Sequence, residues 1–206
     1  MNLEIIKPFG PSIVKVKIPG DIVNELNKYT DDIIKDRSKS EDLDFGNQLA
    51  GNVHQEFYLD VEFMKKIDWA NFIARICMQW IKNENGKDLK DFKIINSWIV
   101  RQFKNEYNPA HFHTGHISGV GYLKVPKNLG ATLQKNKKIN QNGRLELIDS
   151  SPKMMSKGNY IIQPEVGDFY LFPAYLLHTV YPFTESDEER RSVSFNAALD
   201  PLAASI

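Results

Sequence analysis

The stretch "NPAHFHTGHISGVGYLKVP", Asn108 to Pro126, puts three of the chain's five histidines within six residues, directly ahead of a run that reads as a β-strand. In an extended segment the side chains of residues i and i+2 project to one face, so His111 and His113 can reach the same ion. A His-x-His pair alone is weak evidence, because an exposed turn with that pattern needs no metal. Its weight depends on what the rest of the chain supplies, and first on whether the surroundings are β-structure.

Downstream they are. "GRLELID", "NYIIQP", "GDFYLFP", "HTVYPF" and "RSVSFNAAL" follow the histidines, and "FKIINSWIVRQF" precedes them. These short β-branched and aromatic runs are separated by Gly, Pro, Asn and charged turns, the signature of an antiparallel sandwich or barrel. The polar segment Lys127–Asn142 reads as a long, mobile connection at a barrel rim. Upstream, "PSIVKVKIP" reads as an early strand. Ile22, Val23, Leu26, Tyr29, Ile33 and Ile34 predict a helix over Asp21–Lys35, with Asp21 as N-cap. Residues 36–52 read as a polar loop. Phe63, Ile67, Ala70, Ile73, Cys77, Trp80 and Ile81 predict one long core-facing helix from about Asp60 to Asn83. The fold class expected is mainly β with N-terminal helices: a double-stranded β-helix, the jelly-roll or cupin-like barrel. No repeat or linker divides the chain, so one domain is expected, residues 1–90 supporting a barrel core over 91–206.

Composition removes several function classes. Lys plus Arg and Asp plus Glu balance at 26 each, so no basic excess points to nucleic acid or to an anionic membrane surface. One cysteine, Cys77 in "FIARICMQWI", excludes an internal disulfide and a Cys-based zinc cluster, and reads as a buried apolar residue. The opening residues lack the basic and apolar regions of a signal peptide, and a cytoplasmic, reducing location is expected.

A third imidazole is available. His178 opens an apolar, aromatic strand sixty-five residues after His113, enough chain to return to the same barrel mouth. Twelve residues later, "RRSVSFN" places Arg190 and Ser192 at i and i+2, with Arg191 pointing the other way. A guanidinium fork beside a hydroxyl is a good receptor for a carboxylate held at a fixed distance from a metal.

Taken in order, "HFH", "SGVGYLKVP", "GRLEL", "FPAYLLHTVYP" and "RRSVSFN" resemble a family of 2-oxoglutarate–Fe(II) oxygenases of bacteria and their phages. That family lies within the 2-oxoglutarate-dependent dioxygenase superfamily, and the resemblance spans Ser97 to Leu199. It implies Fe(II) as cofactor and 2-oxoglutarate as cosubstrate, with O2 and an unidentified small-molecule or protein substrate. His111, His113 and His178 then match the metal ligands, and Arg190 with Ser192 the grip on the distal carboxylate of 2-oxoglutarate. Tyr122 is a candidate to bond the same cosubstrate, with core packing its plain alternative. His113 stands where the superfamily has Asp or Glu. That substitution removes a negative charge from around the metal while keeping a competent ferrous ligand.

Two other ligand sets are compatible with the spacing. His113 and His116 could converge through the Thr114-Gly115 turn. Alternatively His113 could act with Gly115 at the carboxylate position, a pattern similar to the superfamily's halogenases. Arg101 and Asn108 read as rim, Trp98 and Phe103 as core, Asn196 as a strand end and His54 as surface. The rival readings are a cupin-type metal barrel without 2-oxoglutarate chemistry and a non-catalytic structural barrel. Arg190-x-Ser192 argues against the cupin, as does the lack of any acidic residue between His113 and Glu146.

Overall fold

A computed structural model describes residues 3–6, 10–134, 136–150 and 154–200. In chain order the elements are β1 (Glu4–Ile6), β2 (Ile13–Lys17), α1 (Gly20–Lys35), α2 (Arg37–Asp42), a 3-10 turn (Gly46–Gln48), β3 (Gln55–Tyr58), α3 (Val61–Lys66) and α4 (Trp69–Asn85). There follow β4 (Phe92–Gln102), β5 (Asn108–His111), β6 (Ile117–Lys124), β7 (Leu145–Ile148), β8 (Asn159–Ile162), β9 (Asp168–Pro173), β10 (Leu177–Val180) and β11 (Arg190–Leu199). They form two sheets of antiparallel pairs, a seven-stranded one ordered β1-β2-β9-β6-β11-β4-β3 and a four-stranded one ordered β5-β10-β7-β8. Among the described residues no helix is long and apolar enough to cross a membrane.

Strand alternation explains the layers. On β11 the residues Val193, Phe195 and Ala197 face one side, where α1 and α4 bury Ile22, Leu26, Trp69, Phe72, Ile76 and Trp80 against them in a single apolar cluster. The residues between them, Ser192, Ser194 and Asn196, face the space between the sheets. A second cluster fills much of that space, with Tyr122, Tyr170 and Phe172 from the large sheet and Leu145, Leu147 and Val180 from the small one. Two indoles in α4 reach polar partners inside the core: Trp80 Nε1 donates to Ser12 Oγ at 2.8 Å and Trp69 Nε1 to Ser97 Oγ at 3.2 Å.

The helical half corrects the sequence reading in three places. Asp21 is not a cap: α1 begins at Gly20 behind Pro19, and Asp21 lies in the first turn, where its charge still suits the helix dipole. The segment from Asp60 is two helices, not one. Asp60 caps α3 by accepting from Phe63 N at 2.9 Å, and Asp68, left-handed at φ 62°, breaks the path before α4. Asp is one of the few residues that tolerates that conformation, and the redirection leaves Trp69 fully buried. Residues 36–52, expected as loop, contain α2 and the 3-10 turn. Asp36 caps α2 and an Arg37–Glu41 pair at 2.8 Å runs along it, yet it buries no side chain, so no apolar period announces it. The polar connection Lys127–Asn142 has no regular element over its described residues, which exclude residue 135. It is held to the chain before β11 by bonds from Asn128 Nδ2 and Ala131 N to Glu185.

The sheet packs closest at the glycines of "SGVGYL". A Cβ on Gly119 would stand 2.5 Å from Phe195 Cε1 and 2.9 Å from Tyr170 O, a contact the neighbouring backbone cannot relieve. Gly119→Ala is therefore expected to destabilise the fold by about 1–3 kcal/mol, read as a lower urea midpoint at unchanged m-value.

Candidate metal centre and its pocket

β5 ends at His111, and β10 pairs with it so that His178 lies directly opposite. His113 follows two residues beyond the strand end, its backbone N–H tied to Ala174 O at 2.9 Å in the turn that leads into β10. One nitrogen from each of the three rings falls within 4.8 Å of the others. The Nδ1 atoms of His111 and His178 lie 2.7 Å from Pro109 O and 2.9 Å from Leu176 O. A carbonyl can only accept, so each Nδ1 carries its proton and leaves Nε2 as a lone pair facing the cluster. His178 Nε2 and His113 Nε2 are 3.2 Å apart, a separation that calls for a proton or a cation between them. Trp98 meets His113 edge-on and Phe172 meets His178 in the same way.

Burial among these rings keeps all three imidazoles neutral at physiological pH. Desolvation, then the neighbouring imidazole charges, push His178 down to about 3 and His113 down to about 4. His111 is lowered by burial, partly offset by its bond to Pro109 O. Three neutral, converging nitrogen donors fit a divalent transition metal. His116 is not among them: it is exposed, and its Nδ1 accepts from Leu199 N at 2.9 Å. Gly115, at φ 96°, serves a turn against Ala197 O.

The same pocket, about 550 Å³ with its open mouth included, is lined by Trp98, Val100, Asn108, Arg190, Ser192 and Ser194 as well as the histidines. Arg190 is 2% exposed. Its Nη1 donates to Gln102 Oε1 at 2.8 Å, and its guanidinium carbon lies 5.0 Å from the Tyr122 ring centroid. Its Nε and Nη2 make no well-aligned hydrogen bond among the described residues, nor does the fully buried Tyr122 hydroxyl, although phenol and guanidinium lie close enough to act on each other. Burial lowers the Arg190 pKa and raises that of Tyr122. Arginine nonetheless remains a cation, and a buried cation with two unused donor nitrogens fits a carboxylate. Arg191, on the opposite face, is bound by Glu189, Asp31 and Asn27 of the helical side.

Some residues named from sequence lie elsewhere. Arg101, expected at the rim, is buried and paired with Glu189 at 2.9 Å and with Gln55. Asn196 is buried, with Oδ1 lacking a partner among the described residues, but does not line the pocket. His54 is exposed, edge-on to Phe103. Gln102 and Glu56 were missed. Gln102 could have been found from the alternation Trp98, Val100, Gln102 on β4, which pairs it with Arg190. Glu56, on the four-residue β3, has no such signal. It is 2% exposed, lines the pocket, and neither carboxylate oxygen has a partner among the described residues. Burial, and secondarily the charge of Asp44, push it up to about 7.

Comparison with known proteins agrees with this geometry. The model of a family described as putative 2OG-Fe(II) oxygenase matches residues 96–196. No curated protein sequence matches the chain. A prolyl-4-hydroxylase structure from Pseudomonas putida is similar at TM-score 0.56 and 16% identity over 91% of each chain. A prolyl hydroxylase from Trichoplax adhaerens, in complex with a hypoxia inducible factor peptide fragment, gives 0.58 and 10% over 93% of this chain and 85% of that one. HygX from Streptomyces hygroscopicus, with nickel and 2-oxoglutarate bound, gives 0.55 and 8% over 92% and 82%. At such identities the likeness is one of fold, and that fold is the expected double-stranded β-helix.

Glu56 carries a pH signature. Its folded pKa lies above the unfolded 4.5, so its contribution to stability is intact below 4.5 and is lost as pH rises to about 7. Glu56→Gln, which cannot ionise, is expected to be more stable than wild type at pH 8, by up to about 3 kcal/mol. At pH 4.5 and below, chemical denaturation should find the two level.

Proposed function

We infer that this chain, whose residues 96–196 belong to the putative 2OG-Fe(II) oxygenase family, carries out that family's reaction with His111, His113 and His178 as iron ligands and Arg190 as the anchor for 2-oxoglutarate. When bound, ferrous iron chelated by 2-oxoglutarate supplies the coupling of cosubstrate decarboxylation to oxidation of a substrate C–H bond by O2; hydroxylation is the outcome proposed. The observation that carries the assignment of residues is Arg190. A cation buried to this degree, with Nε and Nη2 left over after Gln102 is bonded, stays unsatisfied until a carboxylate enters. Tyr122, its hydroxyl equally unpartnered, and Ser192, in register with Tyr122 across β6 and β11, complete a donor set for the distal carboxylate.

The protein's own contribution is positioning. Backbone carbonyls of Pro109 and Leu176 orient two imidazoles, and the rings of Trp98 and Phe172 pack edge-on against His113 and His178. With three neutral imidazoles as its protein ligands, a bound ferrous ion would keep its full double charge, and the anionic cosubstrate would contribute more of the holding energy than beside a carboxylate ligand. A cupin without 2-oxoglutarate chemistry, or a structural barrel, leaves the free guanidinium edge without a purpose. Balanced net charge disfavours nucleic acid as substrate, leaving small molecules and proteins. A cytoplasmic setting suits ferrous iron and the lone buried thiol of Cys77.

The test is anaerobic reconstitution. Fe(II) with 2-oxoglutarate is expected to give the visible charge-transfer band of the chelate in wild type. Arg190→Met should weaken 2-oxoglutarate binding by about 10²-fold or more while metal binding persists. His178→Ala should lose the metal. An unchanged band in Arg190→Met, or metal retained in full by His178→Ala, would refute the assignment.

A further inference from the structure

We propose that Glu56 recognises the prime substrate, and that the group it receives is a positively charged nitrogen, an alkylamine or a guanidinium. The proposal rests on the iron and 2-oxoglutarate reading of the pocket and extends it to the side that reading leaves without a role.

The sheet register places Glu56. Tyr122 pairs with Ser192, Ser192 with Val100 and Val100 with Glu56, so these four side chains form one row on the face that looks into the barrel. Strand spacing sets Glu56 about 10 Å from Ser192 across the sheet. It therefore lies beyond the anchor for the cosubstrate yet still lines the pocket that holds the histidines. The loop that leads into β3 closes over it: a Cβ on Gly51 would come within 3.0 Å of Glu56 Oε1. The enclosure is thus built around the carboxyl, and both oxygens still lack a partner among the described residues.

The sign of the missing partner follows from the charges nearby. The neighbouring charge that acts on Glu56 is another carboxylate, Asp44, so this end of the pocket is negative where the Arg190 end is positive. Arg101, one residue along β4, points to the opposite face and is bound to Glu189. A lone carboxylate is a poor metal site, and the described residues hold no other cluster of ligands there. A cationic nitrogen would satisfy both oxygens and offset the charge of Asp44. Trp98 and Val100, the latter in register with Glu56, line the same pocket and suit the alkyl stem and the charge of an amine side chain.

The experiment uses the full chain loaded anaerobically with Fe(II) and 2-oxoglutarate at pH 8, with binding read by calorimetry. n-Butylamine and butylguanidine are expected to bind wild type at least tenfold more tightly than the neutral isostere 1-butanol. Glu56→Gln should reduce that preference to within twofold while forming the same charge-transfer band. Blocked Gly-Lys-Gly and Gly-Arg-Gly peptides form a second arm: tighter binding than the small amines identifies a protein side chain as the source, equal or weaker binding a free amine. No cation preference in wild type, or an undiminished one in Glu56→Gln, would overturn the proposal with the band intact. Absence of the band in wild type would instead bring down the site reading, and this inference with it.

Discussion

The register of β11 between β4 and β6 is the constraint on which the other features rest. One ten-residue strand turns Arg190, Ser192 and Ser194 into the barrel and Arg191, Val193 and Phe195 toward the helices. A slip of one residue would exchange every side chain between a polar pocket and an apolar core, so the two environments hold each other in place. The adjacent arginines illustrate the consequence. Arg191 has its charge met by Glu189 and Asp31, whereas Arg190, one residue away, is equally buried and only partly met.

That asymmetry separates stability from function. The cluster between the large sheet and α1 and α4 is apolar and closely packed, and it needs nothing from outside. The space between the sheets holds a second apolar cluster and, directly against it, three neutral imidazoles, an unsatisfied guanidinium edge, a phenol and a carboxyl with no partner among the described residues. Buried polar groups left open in this way oppose folding, and they persist where a ligand satisfies them. The pocket is thus polarised once Glu56 ionises, positive at Arg190 and negative at Glu56, with the histidines lining the same space. Such a pocket can orient two different ligands by charge alone.

The helical half positions rather than reacts. Asp31 and Asn27 of α1 reach across to Arg191 and so pin the strand that carries Arg190. β3 and the Gly46–Gly51 loop close the far side and bring in Glu56. The segment most obscure in the sequence therefore supplies the pocket's second charge.

Local pattern alone decided much of this protein. Period-two alternation marked most strands of the barrel, helical spacing marked α1 and the apolar face of α3 and α4, and the ordered motifs from His111 to Ser192 named five of the residues that line the pocket. Those features repeat along the chain or carry distinctive chemistry, so they are visible one residue at a time. Only the tertiary structure decided the rest. It brought His111 beside His113 and His178 while committing His116 Nδ1 to Leu199, and it broke the helix at a left-handed Asp68 to bury Trp69. It also set Glu56 inside the pocket from an edge strand too short to show a period. Whether a polar atom is satisfied depends on groups distant in sequence, and that is a property of three-dimensional packing that no local spacing records.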